Sequence, residues 1–402
     1  MAVTAAQIAS TRTTKPVALV CAAHFLNHFY LLLLPPLFPL LREIYGVGYT
    51  ELGATITVLS LTTGLTQAPV GFLVDRYGAR ALLVGAVTLL SAAILLVGLL
   101  PWYGALLALM VTAGLANAVF HPANYAILNS TVEPAHMGRA FSVHTFAGYL
   151  GAAVAPGTIL FLASALGPQT ALLACGVAGG LVSLLIAFGS GSLRSADSAT
   201  HRARAARPTP GAQVALLFTL PLILGLLFFA GLSMTVHGIA DFGVATLNLN
   251  GLSLAAAGSA ISAFLFAAPV GVLIGGVVAD RVKRHALVGL TCFAVMGVAI
   301  AAIALSDPSL VALAALLAIA GLANGIVAPS RDMLIRELAP PGATGKVFGF
   351  VSTGYNLGGI LAPPLFGYLL DLGRGDGVLW TVVALSVLTA ATVIATGAQR
   401  RN

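Results

Sequence analysis

Charge is scarce in this chain: 8% of its 402 residues are Asp, Glu, Lys or Arg, and only 12 are acidic. A water-soluble protein of this length needs far more polar cover, so a soluble globular fold is excluded. Cysteine is nearly missing too. Cys21, Cys175 and Cys292 are odd in number, stand singly in apolar runs and form no C-x-x-C. That excludes a disulfide framework and argues against a thiolate metal site. No H-E-x-x-H, nucleophile elbow or P-loop occurs, so no enzymatic activity is expected. No filter-like loop suggests a channel, and the short termini leave no signalling domain. The first apolar run is too long for a signal peptide.

What is abundant is apolar. The apolar fraction is 59% and mean hydropathy is +1.01. Lipid must be the solvent, and there every backbone polar group has to be paired inside the fold, by helices or by a closed barrel. The runs have the length of membrane-crossing helices, not the ten-residue alternation of barrel strands. Twelve spans are predicted, near 16–41, 50–71, 81–100, 104–131, 138–164, 168–190, 213–240, 252–278, 286–305, 309–335, 345–370 and 377–397. With both termini on one side, seventeen of the nineteen Lys and Arg residues fall on that side, leaving only Arg42 and Arg374 on the other. The positive-inside rule then puts both termini in the cytoplasm of a multi-pass inner-membrane protein. The basic excess reports orientation, so nucleic acid is not an expected partner; the lipid bilayer and a small-molecule substrate are.

One joint is long and polar: 191–211, rich in Ser, Arg and Pro, reads as a cytoplasmic linker. It separates a bundle at 1–190 from a second at 212–402. The two resemble each other. Gly114-Leu-Ala-Asn117 returns as Gly321-Leu-Ala-Asn324, Pro122 as Pro329, Gly138 as Gly345 and Ala155-Pro156 as Ala362-Pro363, each 207 residues later. Ala68-Pro69-Val70-Gly71 with Asp75-Arg76 returns as Ala268-Pro269-Val270-Gly271 with Asp280-Arg281. Several matches near one offset mark an internal duplication, and duplicated halves about a midplane cavity are the usual build of secondary transporters.

The joint between spans 2 and 3 carries Gly71-x-Leu73-x-Asp75-Arg76-x-Gly78-x-Arg80. This resembles the signature of the major facilitator superfamily and falls in its expected place. The resemblance extends over nearly the whole chain. It implies an all-α membrane protein of twelve transmembrane helices in two pseudo-symmetric six-helix bundles, monomeric, working by alternating access. It also implies gating roles for Gly71, Asp75, Arg76, Gly78 and Arg80. Small Gly71 is expected to let helices approach closely. Asp75 is expected to meet the positive N-terminal end of a facing helix. A narrower likeness is to the fosmidomycin-resistance branch of efflux transporters, through His24-x-x-Asn27-His28 in span 1 and Phe120-His121-Pro122 in span 4. His28 and Ala123 stand where that branch has acids, so substrate and coupling do not carry over. Gly148-x-x-Gly151-x-x-x-Ala155-Pro156 partly matches the antiporter motif of span 5. Its repetition at Gly358 to Pro363 also fits a packing device in each half.

Ionisable residues at membrane depth are functional candidates by default. His24, Asn27 and His28 share one stripe of span 1, and Asn117, His121, Asn124 and Tyr125 one stripe of span 4. In span 5, Ser142, Thr145 and Tyr149 align, with His144 slightly to the side. Four histidines in one half could carry a coupling proton, hydrogen-bond an oxygen-rich solute, or hold a metal ion. No carboxylate or thiolate lies nearby to favour the metal, so no metal site is expected. In the second half, His237 and Asp241 share a face of span 7, either as a proton site or with Asp241 marking the helix exit. Arg331 of span 10 either enters the cavity or pairs with Asp332, and Tyr355 and Asn356 make span 11 polar. A cavity of His, Asn, Tyr and Ser, joined by Arg331 where it enters, and without a central carboxylate suits a small neutral polar or anionic organic solute. The expectation is proton-coupled efflux of such a solute, drugs included, powered by the proton gradient with no cofactor; the alternative is proton-coupled uptake of an organic acid.

Overall fold

The computed structural model describes residues 5–133, 136–193, 218–338 and 344–398, with side chains over 14–133, 136–193, 218–338 and 347–396. Most of the 191–211 linker lies outside them, as does 213–217 of the seventh expected span. Among the described residues every regular element is helical. Eleven stretches of the described residues are long and apolar enough to cross a membrane. The remaining expected span, 345–370, is occupied by a 28-residue helix, Thr344–Asp371.

The first half runs α1 (Ala5–Leu31), a 3-10 turn (Pro35–Leu37), α2 (Phe38–Tyr45), α3 (Tyr49–Tyr77), α4 (Ala79–Leu99), α5 (Tyr103–Thr131), α6 (Met137–Leu166) and α7 (Pro168–Gly189). The second runs α8 (Leu220–Ala240), α9 (Gly243–Leu249), α10 (Leu254–Arg281), α11 (His285–Leu305), α12 (Leu310–Leu338), α13 (Thr344–Asp371) and α14 (Gly375–Ala398). The expected first span is thus two helices. Pro35 and Pro36 lack the N–H groups a continuing helix needs, so the chain bends and restarts at Phe38. α8 and α9 repeat this break in the second half. Between α3 and α4, Gly78 takes φ +88°, a conformation any side chain would strain, and this lets two helices meet in one residue.

By packing, the chain forms two compact units: Met1–Leu34 with Val58–Ala206, and Pro35–Thr57 with Arg207–Asn402. The head of α3 therefore belongs to the second unit and its remainder to the first. In unit 1, α1 packs on α6 and α7, and α4 on α7 and α5; in unit 2, α8 packs on α13 and α14, and α11 on α14 and α12. The same pairing in both units is the structural counterpart of the sequence duplication. Glycine sets the closest approaches. Gly151 of α6 lies under the Phe25 carbonyl of α1, and Gly358 of α13 lies against Ser233 and the Ala230 carbonyl of α8. The glycines shared by spans 5 and 11 therefore pack helices in both halves.

Candidate functional site

Unit 1 brings the four histidines together. His24 of α1 stacks on His144 of α6, ring centroids 3.8 Å apart and planes 15° from parallel. His28, one turn along α1, meets His24 edge-on at 4.5 Å. His121 of α5 closes from the third side, 5.5 Å from His24. Behind the stack, the Asn124 amide nitrogen lies 3.1 Å from His144 Nε2. Tyr125 covers one flank, its ring 5.7 Å from His121 and 5.9 Å from His144. Local sequence explains the convergence. Gly148 of α6 has no side chain where a Cβ would stand 2.6 Å from His24 Nε2 and 3.1 Å from His28 Cδ2.

His24, Asn27, Asn124 and His144 are all buried, while His28 and His121 are half-buried. Several of their polar atoms have no hydrogen-bond partner among the described residues: His24 Nδ1, His121 Nδ1, Asn124 Oδ1 and both amide atoms of Asn27. Buried polar groups are nearly always paired, so such a concentration marks a site built to take up hydrogen-bonding groups. A metal ion fits it poorly. Stacked rings present faces, not converging lone pairs, and among the described residues no three His, Cys, Asp or Glu side chains are placed to hold an ion.

The expected stripes are only partly kept. His144, set to the side in the sequence, is the span-5 residue at the centre of the cluster. Thr145 is exposed, Tyr149 half-buried, and Ser142 bonds back to the Gly138 carbonyl at 2.9 Å. Asn117 is also outside the cluster. Its amide donates to Thr63 Oγ1 of α3 at 3.1 Å, and Thr63 donates to the Gly114 carbonyl. Thr63 was not foreseen, because nothing in the spacing of span 2 points to span 4.

In unit 2, His237 Nδ1 and Asp241 Oδ2 are hydrogen-bonded, with the Asp241 side chain 6% exposed. Asp241 is therefore a buried partner of His237, and as the C-cap residue of α8 it also stands where that helix ends. Arg331 of α12 pairs with Asp332 and reaches across to α8. Its Nε donates to Asp332 at 2.8 Å, and its guanidinium carbon lies 4.8 Å from the centre of the Phe229 ring of α8. Tyr355 packs edge-on against the same ring at 6.2 Å, and its carbonyl accepts from Ser233 Oγ at 2.8 Å. Asn356, next along α13, is half-buried. Phe229 is the residue the sequence did not flag, since one Phe in an apolar run carries no signal.

The residues of the gating motif make few contacts among the described residues. A Cβ on Gly71 would meet no atom within 4 Å, so no close helix approach occurs there. Asp75 is exposed and has no hydrogen-bond or ion-pair partner among the described residues. Arg76 lies over the adjacent Tyr77 ring at 5.3 Å, and Arg80 Nε donates to Ser190 Oγ at 3.0 Å. Arg80 thereby ties the start of α4 to the end of α7.

Known proteins agree with this architecture. The chain is 25% identical over 352 residues to the fosmidomycin resistance protein of Escherichia coli, covering 86% of this chain and 84% of that protein. It is 24% identical over 379 residues to a probable sulfoacetate transporter of Cupriavidus necator, covering 88% and 86%. A solved structure of a mutant nucleoside transporter, NupG, superposes with a TM-score of 0.80 at 16% identity over 96% of this chain and 99% of that one. The family model of the Major Facilitator Superfamily matches residues 20–256 and 232–398. With the helical spans, the duplicated packing and the Gly71–Arg80 joint in place, this chain belongs to the major facilitator superfamily of membrane transporters.

Proposed function

We propose that this transporter exchanges protons for a small polar or anionic organic solute, exporting it across the inner membrane by alternating access with both termini in the cytoplasm. The observation that carries this reading is the stack of His144 on His24 with His28 and His121 around it. Imidazole is the side chain that gains and loses a proton near neutral pH. Two positive rings 3.8 Å apart would repel by roughly 4 kcal/mol at an effective dielectric constant of about 20, so the stack carries one charge or none. A group that switches by a single charge, beside unpartnered hydrogen-bonding atoms, suits exchange of a proton against a polar solute. No acid enters the cluster among the described residues, so a cationic solute is disfavoured. One relative is named for drug resistance and another for an anion, which supports the same class of solute.

Uptake of an organic acid by proton symport is the second reading. It is favoured by Arg331 on the face of Phe229, an arrangement able to hold a carboxylate. Inverted membrane vesicles separate the two, with fosmidomycin and sulfoacetate as trial solutes. Exchange accumulates solute when the vesicle interior is acid. Symport accumulates it only when the bath is acid, and that result would reject export.

A further inference from the structure

α3 begins without a cap of its own. Gly48 sits at the N-cap position, where Ser, Thr, Asp or Asn normally supplies a side-chain acceptor. The acceptor comes instead from the far end of α13. Asp371 Oδ1 accepts from Tyr49 N at 2.6 Å, and Asp371 Oδ2 from Thr50 N at 2.8 Å and Thr50 Oγ1 at 2.6 Å. Gly48 is what admits this carboxylate, since a Cβ there would lie 2.8 Å from both of its oxygens. Glu51 completes the arrangement in cis, taking the Gly48 N–H at 3.0 Å. Below the cap the two helices run antiparallel along a narrow seam. Gly53 abuts the Pro363 carbonyl, Gly367 abuts Thr50, and Thr57 Oγ1 donates to the Ile360 carbonyl at 3.1 Å.

We propose that Asp371 is a detachable cap, a latch that holds the head of α3 on α13 and is released during the transport cycle. A cap within a helix stays with it. One supplied from another helix, 322 residues away in sequence, is lost whenever the two part. The bonds are charge-assisted and short, yet Asp371 is exposed, so water can replace α3 as its partner and the latch can open. At the other end of α3, Gly71 faces open space and Asp75 is exposed without a partner among the described residues. The remainder of α3 is packed in unit 1, where Thr63 donates to the Gly114 carbonyl, so opening the latch frees the head alone.

The test is thiol accessibility in the full-length protein in lipid nanodiscs. Thr57→Cys places a probe in the seam, and buried Cys175 serves as the internal control. Adding Asp371→Asn should raise maleimide labelling at position 57 about five- to tenfold, the scale of a lost set of exposed charge-assisted bonds, with Cys175 unchanged. Thr50→Val, which removes one donor to the same carboxylate, should give a smaller rise that adds little to Asp371→Asn. Unchanged labelling in both variants overturns the proposal. So does a rise matched at Cys175, which would report general loosening of the fold.

Discussion

His144 fills space and offers an exchangeable proton, and substitution can separate the two. His144→Phe keeps a ring stacked on His24 and removes the proton and the Asn124 bond; His144→Ala also empties the site. We expect Phe to lower the melting temperature of the purified protein less than Ala does, because a ring-to-methyl truncation in a packed core costs about 3–5 kcal/mol. Gly148→Ala tests the same site from behind. Its Cβ would press on His24 Nε2, so destabilisation of about 1–3 kcal/mol is expected in a thermal melt, with loss of transport. At this scale the sequence was informative where one helix was concerned: His24, Asn27 and His28 follow from their spacing alone. It named His144 but set it beside the stripe, because the side α6 turns towards α1 is decided by Gly148 and Gly151, not by the stripe of Ser142, Thr145 and Tyr149. Thr63 under Asn117 and Phe229 under Arg331 were invisible because each matters only through a residue on another helix.

Among elements, contacts discriminate between two glycines that each lie in an apolar helix. Gly325 of α12 lies against the backbone of α10, where a Cβ would stand 2.7 Å from Val272 N, whereas a Cβ on Gly71 meets nothing within 4 Å. Gly325→Ala should therefore lower the melting temperature clearly, and Gly71→Ala should leave it nearly unchanged. Equal losses would mean that Gly71 is packed after all. Gly78→Ala is expected to cost about 1 kcal/mol through its positive φ alone. Span positions were legible because lipid imposes a length on apolar runs. The interruption at Pro35–Leu37 was less so. Hydropathy runs straight through two prolines, and only their missing N–H groups separate α1 from α2.

Across the whole molecule, the duplication was readable from residue pairs 207 apart and returns as matched helix pairing in the two units. The grouping of Pro35–Thr57 with the second unit could not be read, since it depends on contacts such as Asp371 with Tyr49 between residues remote in sequence. The solute is illegible for the same reason: its contacts come from several helices, and no spacing rule links them. The proton is different, because the four imidazoles that would carry it stand in one unit and can be removed one by one.

The decisive measurement compares two modes of transport in proteoliposomes, with fosmidomycin or sulfoacetate as trial solute: accumulation driven by a pH gradient, and solute-for-solute exchange at equal pH. Replacing His24 and His144 together by Phe should abolish gradient-driven accumulation and leave exchange substantially intact. If accumulation still follows the pH gradient with His24, His28, His121 and His144 all replaced, the coupling proton is carried elsewhere and the account fails.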